Sequence, residues 1–228
     1  MQGFYLLCVT QQTIDPGNVL SRAIDFSVKL TKDVGNLLIL IVLSIIPIVN
    51  FIVIGYFAEI VWQNPEEPPK LETSRLGEYF VEGLKVILIS LVYFIVPLLL
   101  IGIGMVTSGA FHPMGMTGIG FLRLLAGGIF FLLGFILLLA IAFIAYPLLG
   151  IILRTGDASK IFAFGEAWSL IQTIGLGNYL VILIALLVIN LIVSALGNIV
   201  ALILSPFLMA ITFKALAIIV ETRYPARP

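Results

Sequence analysis

Charged residues are scarce in this sequence. Only 11% of the 228 residues are Asp, Glu, Lys or Arg, whereas 61% are hydrophobic. Soluble domains are about one quarter charged and about half apolar. One soluble core could not bury so many apolar side chains, so the composition predicts an integral membrane protein. The formal net charge is zero, and we therefore expect no nucleic-acid partner.

Cysteine and histidine occur once each, as Cys8 and His112. A lone cysteine excludes an intrachain disulfide and a cysteine-based metal site. The imidazole of His112 and the thioethers of Met114 and Met116 form the one set of groups with metal-ligand chemistry, which suits Cu(I). The surrounding loop is rich in glycine, and methionine is a common apolar filler. This set is therefore a weak metal candidate, and we expect no cofactor.

Catalytic motifs are also missing. No Lys-Ser or Lys-Thr pair follows a glycine-rich stretch in the register of a phosphate-binding loop. No pair of carboxylates lies within an apolar segment, and the single histidine has no acidic residue near it in sequence. We therefore predict that the protein is not an enzyme.

Long apolar segments dominate the chain instead. A helix needs about 20 apolar residues to cross the hydrocarbon core of a bilayer. The stretch 36–62 is apolar but has Pro47 and Asn50 near its middle, so it either crosses once or forms a hairpin. Four further segments predict spans, at residues 86–106, 122–153, 179–195 and 199–220.

Each pair of apolar segments follows an amphipathic stretch, at residues 19–33, 74–84 and 158–174. Such stretches are typical of helices that lie in the membrane interface. The order predicts an all-α polytopic membrane helical bundle of three units, each an interfacial amphipathic helix plus a membrane hairpin. Residues 18–222 would form this single membrane domain, between an N-terminal segment, 1–17, and a C-terminal tail, 223–228.

The distribution of basic residues predicts the topology. If 36–62 crossed once, the basic residues near the span ends would divide four against seven between the two sides. If it forms a hairpin, only Arg123 is separated from ten others, as the positive-inside rule expects. We therefore predict a hairpin in a multi-pass cell-membrane protein, with both termini in the cytoplasm. Its arms are short, so either the first arm extends back through the amphipathic stretch or the hairpin is re-entrant, which requires a backbone buried in protein.

Four polar side chains within apolar segments are candidate functional residues. Glu59 and Lys214 are ionisable, and such residues are costly in a membrane. We favour two structural roles for them, either snorkelling to the interface or an ion pair with each other. Asn50 and Asn190 either line a polar path or form hydrogen bonds across helix interfaces.

The third amphipathic stretch predicts a contact surface. Ile161, Phe164, Trp168 and Ile171 are spaced by three, four and three residues, so we place them on one helical face. Phe164 and Trp168 would contact lipid headgroups or a partner, because aromatic side chains favour the polar–apolar junction.

Three runs carry a resemblance to a known family, at residues 47–64, 68–100 and 157–180. Their most specific motifs are Gly-Tyr at 55–56, Glu-Gly-Leu-Lys at 82–85 and Phe-Gly-Glu at 164–166. The sequence resembles an archaeal family of multi-pass membrane proteins grouped as a domain of unknown function. The resemblance implies an archaeal cell membrane and supplies no catalytic residues.

We expect a non-enzymatic scaffold or accessory subunit of a membrane complex. Its partners would be membrane lipids and either a membrane subunit or a second copy of the chain. The alternative is a small transporter or channel, which would use helices broken at prolines. The prolines within apolar segments are Pro47, Pro97, Pro147 and Pro206.

Overall fold

A computed structural model describes residues 14–108 and 118–225. Within these residues the chain forms eight α-helices, three 3₁₀ turns and no β-strand, so the predicted all-α polytopic bundle is confirmed. Helices α4, α5, α7 and α8 are each long and apolar enough to cross a membrane. The helices are α1 (Pro16–Lys29), α2 (Val34–Ile45), α3 (Asn50–Gln63), α4 (Leu76–Thr107), α5 (Gly118–Thr155), α6 (Phe164–Ile174), α7 (Leu176–Ala195) and α8 (Asn198–Glu221).

Helices α2 and α3 form the predicted hairpin, with a turn at residues 46–49. The start of α2 meets the chain that follows α3. The side chain of Asn36 accepts a hydrogen bond from the Leu71 amide at 3.0 Å and donates one to the Pro69 carbonyl. The 12 and 14 residues of these helices span about 18 and 21 Å, less than the roughly 30 Å hydrocarbon core. Neither arm is therefore long enough to cross that core by itself.

Helix α8 is the centre of the bundle. It packs against α1, α2, α3, α5 and α7. In an apolar 18-residue stretch of α8, 56% of the residues are buried inside the bundle. In the corresponding stretches of the other three long helices, between 11% and 22% are buried. Its second half supplies buried residues to both hydrophobic clusters of the core, whereas α4, α5 and α7 expose long apolar faces. Those exposed faces are the surfaces suited to lipid.

Glycines bring α3, α4 and α5 into backbone contact. A Cβ atom at Gly83 of α4 would lie 1.8 Å from the Phe51 carbonyl oxygen of α3, and one at Gly55 would lie 1.8 Å from that of Tyr79. Gly104 of α4 and Gly127 of α5 make a similar contact near the other end of α4. Small residues at helix interfaces permit this close approach in membranes.

The second and third units differ in detail from the predicted pattern. The amphipathic stretch 74–84 is not a separate helix, because it continues without a break into the membrane-spanning part of α4. The stretch 158–174 divides into a 3₁₀ turn, Ala158–Phe162, and α6, with an irregular residue at Ala163 between them.

Three of the four prolines lie within continuous helices, and only Pro47 lies at a break. A proline leaves the carbonyl four residues before it without its usual amide donor. For Pro147 that carbonyl, of Phe143, accepts from the Tyr179 hydroxyl at 2.5 Å. For Pro206 the Leu202 carbonyl accepts from the Ser205 hydroxyl at 2.8 Å. These hydroxyls replace the missing donors, which is how membrane helices tolerate proline.

Candidate functional site

Charged side chains gather at one end of the bundle, which we call the polar layer. Helix α1 lies at this end. Helices α3, α5 and α8 end here, and α4 begins here. Arg123, near the start of α5, lies at the opposite end. Contacts between distant segments hold the layer together: Arg22 with Glu66 at 3.1 Å, Lys32 with Glu67 at 2.9 Å, Lys70 with Asp33 at 3.5 Å, and Arg75 with Glu59 at 3.1 Å.

A half-open groove of about 890 Å³ runs from the polar layer into the apolar part of the bundle. Its walls are α3, α4 and the last turns of α5, and we call it the α3–α4–α5 groove. The charged side chains of α4 that line the groove, Glu78, Glu82 and Lys85, precede Leu88 and Ile89, and Tyr79 and Val81 also line its first part. Glu78, Glu82, Lys85 and Leu88 are three or four residues apart and therefore follow one side of α4.

Ion pairs organise the polar end of this groove. The Arg75 guanidinium donates to the Glu59 carboxylate at 3.1 Å and to the Glu78 carboxylate at 2.8 Å. Lys85 pairs with Glu82 at 2.6 Å. The Glu59 side chain is only 11% exposed, whereas those of Glu82 and Lys85 are about half exposed. Glu59 is thus a largely buried partner of Arg75, whereas the Glu82–Lys85 pair is exposed.

The predicted ion pair between Glu59 and Lys214 does not form, because each has other partners. Besides Arg75, Glu59 accepts from Gln63 at 2.7 Å. Lys214 donates to the Asn64 side-chain oxygen at 2.7 Å and to the Pro65 carbonyl at 2.6 Å. It is 1% exposed, so it does not snorkel to the interface either. Asn64 ends α3 in the left-handed conformation, with φ 47°, and turns this part of the chain towards α8.

Arg154 is a buried basic residue that the sequence analysis did not single out. It is 2% exposed and donates to the Trp62 carbonyl at 2.7 Å and to the Ala217 carbonyl at 3.1 Å. Arg154 and Lys214, which we call the cation clamp, thus bind carbonyls at and just beyond the end of α3. A helix C-terminus has free carbonyls and a partial negative charge, so cations are stabilised there. The clamp attaches the hairpin to α5 and α8.

The two candidate asparagines have different surroundings. Asn50 begins α3 at the hairpin turn, and its side-chain oxygen is buried with no hydrogen-bond partner among the described residues. Asn190 is exposed and donates to the Leu186 carbonyl of its own helix at 2.8 Å. Asn190 therefore bonds only the backbone of its own helix, on an outer face.

Helix α6 has one buried face and one exposed aromatic face. Ala167, Leu170, Ile171 and Ile174 are buried. Ile171 is therefore buried, whereas Phe164 and Trp168 are exposed. At 3.6 residues per turn Ile171 lies only about 60° around the helix from Trp168, so it marks the edge of the buried face and does not share the exposure that we predicted for this set. Phe162, Phe164 and Trp168 are exposed, and we call them the aromatic surface.

A polar contact anchors α6 to the end of the chain. The Glu166 carboxylate accepts from the Lys160 ammonium at 2.8 Å and from the Tyr224 hydroxyl. Hydrogen bonds from Lys160 and from Tyr224 lower the pKa of Glu166. Burial raises the pKa of Tyr224 to about 12, so Tyr224 stays a donor at neutral pH.

The weak metal candidate cannot be placed, since His112, Met114 and Met116 lie outside the described residues. In the parts of the chain that the structure describes, no three His, Cys, Asp or Glu side chains are grouped as metal ligands would be.

The fold and the polar layer define the class of protein, a polytopic membrane helical bundle. Residues 39–202, from within α2 to the first turn of α8, match the family model described as "Protein of unknown function (DUF4013)". The chain belongs to this family, as the resemblance to a domain of unknown function indicated. Neither the curated proteins nor the solved structures gave a match.

Proposed function

We propose that the protein is a non-enzymatic scaffold or accessory subunit of a complex in an archaeal cell membrane. Its polar layer and both termini would lie in the cytoplasm, because ten basic residues near span ends belong to this side and one to the other. The resemblance of its motifs to an archaeal family supports the source of the membrane.

The observation that carries this proposal is the aromatic surface of α6. The helix is already docked through its buried face, so the core does not need the three exposed aromatic side chains. Phe162 is 69% exposed, Phe164 44% and Trp168 46%. Contiguous exposed apolar groups are typical of interaction sites, and aromatic residues are favoured at the level of lipid headgroups. The surface would therefore bind membrane lipids together with a partner subunit or a second copy of the chain.

Two substitutions in α6, one of an exposed and one of a buried side chain, test the proposal. Trp168→Glu should leave thermal stability in detergent unchanged but reduce the lipid that co-purifies with the protein and its self-association or subunit binding. Ile171→Ala, the matched control, should lower stability by about 2–4 kcal/mol, the usual cost of truncating a buried aliphatic side chain, and leave binding unchanged. The measurements are thermal unfolding, native mass spectrometry and sedimentation. If Trp168→Glu lowers stability instead, or changes neither quantity, the aromatic surface is not an interaction site.

A small transporter or channel is the alternative function. Its support would come from the broken α2–α3 hairpin and the unpartnered oxygen of Asn50 at the hairpin turn. Broken helices are typical of transport sites, but the other three prolines lie in continuous helices. For this reason we propose the scaffold function first.

A further inference from the structure

We propose that the α3–α4–α5 groove binds one phospholipid whose headgroup carries both a phosphate and an ammonium group. The proposal concerns a different surface from α6 and does not depend on the scaffold function. It is carried by the shape of the groove, the charges at its polar end and its position in the bundle.

The groove has the polarity gradient of a lipid. Its side chains on α4 run from Glu78 to Ile89, eleven residues and therefore about 16 Å along the helix axis. The charged side chains are confined to the first part, where Tyr79 and Val81 also line the groove, and the remainder is apolar. Ile152 and Leu153 of α5 add apolar lining. The volume, about 890 Å³, lies within the range of roughly 300–1,000 Å³ typical of ligand pockets. It suits a headgroup and the upper part of a hydrocarbon chain.

The charges at the polar end favour a headgroup with both signs. The lining includes three carboxylates, of Glu59, Glu78 and Glu82, and two cations, Arg75 and Lys85. Arg75 is occupied by Glu59 and Glu78, which leaves the more exposed Glu82–Lys85 pair to exchange partners. A phosphate can bind Lys85 while an ammonium binds the Glu82 carboxylate. Glu78 can contribute as well, since its side chain is 67% exposed although one of its oxygens accepts from Arg75. A purely anionic headgroup would meet an excess of negative charge, so we expect the site to reject it.

Trp62 also lines the α3–α4–α5 groove, and its fluorescence can report on lipid bound there. Its side chain is 46% exposed beside the groove, and indole rings favour the headgroup boundary. Its carbonyl is held by the Arg154 guanidinium at 2.7 Å, so the cation clamp also positions this wall. Trp168, on α6, is the other tryptophan of the chain. A Trp168→Phe variant therefore reports from the groove alone, and Trp62→Phe reports from α6 alone.

Fluorescence quenching by brominated lipids tests the headgroup preference. The full chain is reconstituted in bilayers of unbrominated phosphatidylglycerol. Small amounts of dibrominated phosphatidylethanolamine or dibrominated phosphatidylglycerol with the same acyl chains are then added. In Trp168→Phe we expect the ethanolamine lipid to quench Trp62 with a relative binding constant about fivefold higher, a modest factor because exposed charge pairs are individually weak. In Trp62→Phe, the matched control, the two lipids should quench Trp168 equally.

Two further variants, in the Trp168→Phe background, keep the fold and alter only the groove. The double variant Glu78→Gln and Glu82→Gln removes two exposed carboxylates. The ratio of the binding constants for the ethanolamine and glycerol lipids should then fall to about one, since the ammonium loses its partners. Gly77→Leu should abolish the preference by filling the polar end, where a Cβ atom meets nothing within 4 Å. Thermal unfolding should match the parent in both.

Several outcomes would overturn the proposal. Equal quenching of Trp62 by the two lipids would mean that the groove holds only bulk lipid. A preference for phosphatidylglycerol would reverse the charge assignment. Protection of Trp62 from both lipids would mean that a protein segment covers the groove. A preference that survives both groove variants would place the selectivity elsewhere.

Discussion

Replacing Gly83 with alanine should separate α3 from α4. The added Cβ atom would lie 1.8 Å from the Phe51 carbonyl oxygen, 2.7 Å from its carbon and 3.0 Å from the Gly55 nitrogen. All three are backbone atoms, so no side-chain rotation relieves the clash. Ordinary contact begins at 3.4 Å, and α3 would therefore have to retreat by about 1.6 Å. That retreat would also loosen the neighbouring Phe51–Phe80 ring contact, now 5.7 Å between centroids.

The expected loss of stability is about 2 kcal/mol or more. Overpacking a core costs about 1–3 kcal/mol, and backbone clashes belong to the upper part of that range. A gap of even 0.5–1 Å between packed atoms forfeits roughly a quarter to a half of their dispersion attraction. Alanine regains only about 0.5–1 kcal/mol through its better helix propensity.

Gly102→Ala is the matched control, because Gly102 lies in the same helix and its added Cβ atom would meet nothing within 4 Å. It should be neutral or stabilising by up to about 1 kcal/mol. The assay is reversible unfolding of the full chain in mixed micelles with increasing SDS, followed by tryptophan fluorescence and circular dichroism. If Gly83→Ala and Gly102→Ala have the same stability, α3 and α4 are not in backbone contact and the packing described above is wrong.

Three further predictions concern the cation clamp, the topology and pH. Arg154→Met removes two charge-assisted hydrogen bonds, and the loss of stability is partly offset because a buried charge is removed too. The substitution should lower the free energy of unfolding in detergent by about 2–4 kcal/mol. A loss below about 0.5 kcal/mol would contradict the role of the cation clamp. In a background without Cys8, a cysteine at Thr73 should be protected from an impermeant outside reagent and one at Ser108 labelled, and the reverse pattern would invert the topology. The lowered pKa of Glu166 in the folded state means that its contribution to stability is present above the unfolded pKa and is lost as pH falls through the folded value. Glu166→Gln should therefore flatten the acid limb of the unfolding midpoint against pH, and an unchanged limb would show that other groups cause it.

The pattern of apolar and charged residues determined the class of fold and most of its elements. The four long helices were predictable because length and hydropathy suffice when a bilayer is the solvent. The α2–α3 hairpin was predictable from the basic residues, since a single crossing would divide them almost evenly. The sequence indicated that glycines would allow close helix contact. Only the structure shows that Gly127 packs against α4, whereas a Cβ atom added at Gly128 would meet nothing within 4 Å.

Pairings between distant side chains could not be predicted. Glu59 and Lys214 were candidates for one ion pair, yet they bind different partners, because Arg75 precedes α4 and the end of α3 offers carbonyls to Lys214. Arg154 resembled an ordinary basic residue at a helix end, and its burial depends on where Trp62 and Ala217 come together.

The sequence alone therefore determined which segments are helical, which are apolar enough for a membrane and which lie at the polar end. Those properties depend on local composition and periodicity, which each segment carries by itself. Only the tertiary structure decided the cation clamp, the hydroxyl that serves the carbonyl freed by Pro147, and the α3–α4–α5 groove. Each of these joins residues from separate helices, and a hydrogen bond or a cavity forms only where the packing brings their atoms within a few ångströms of one another.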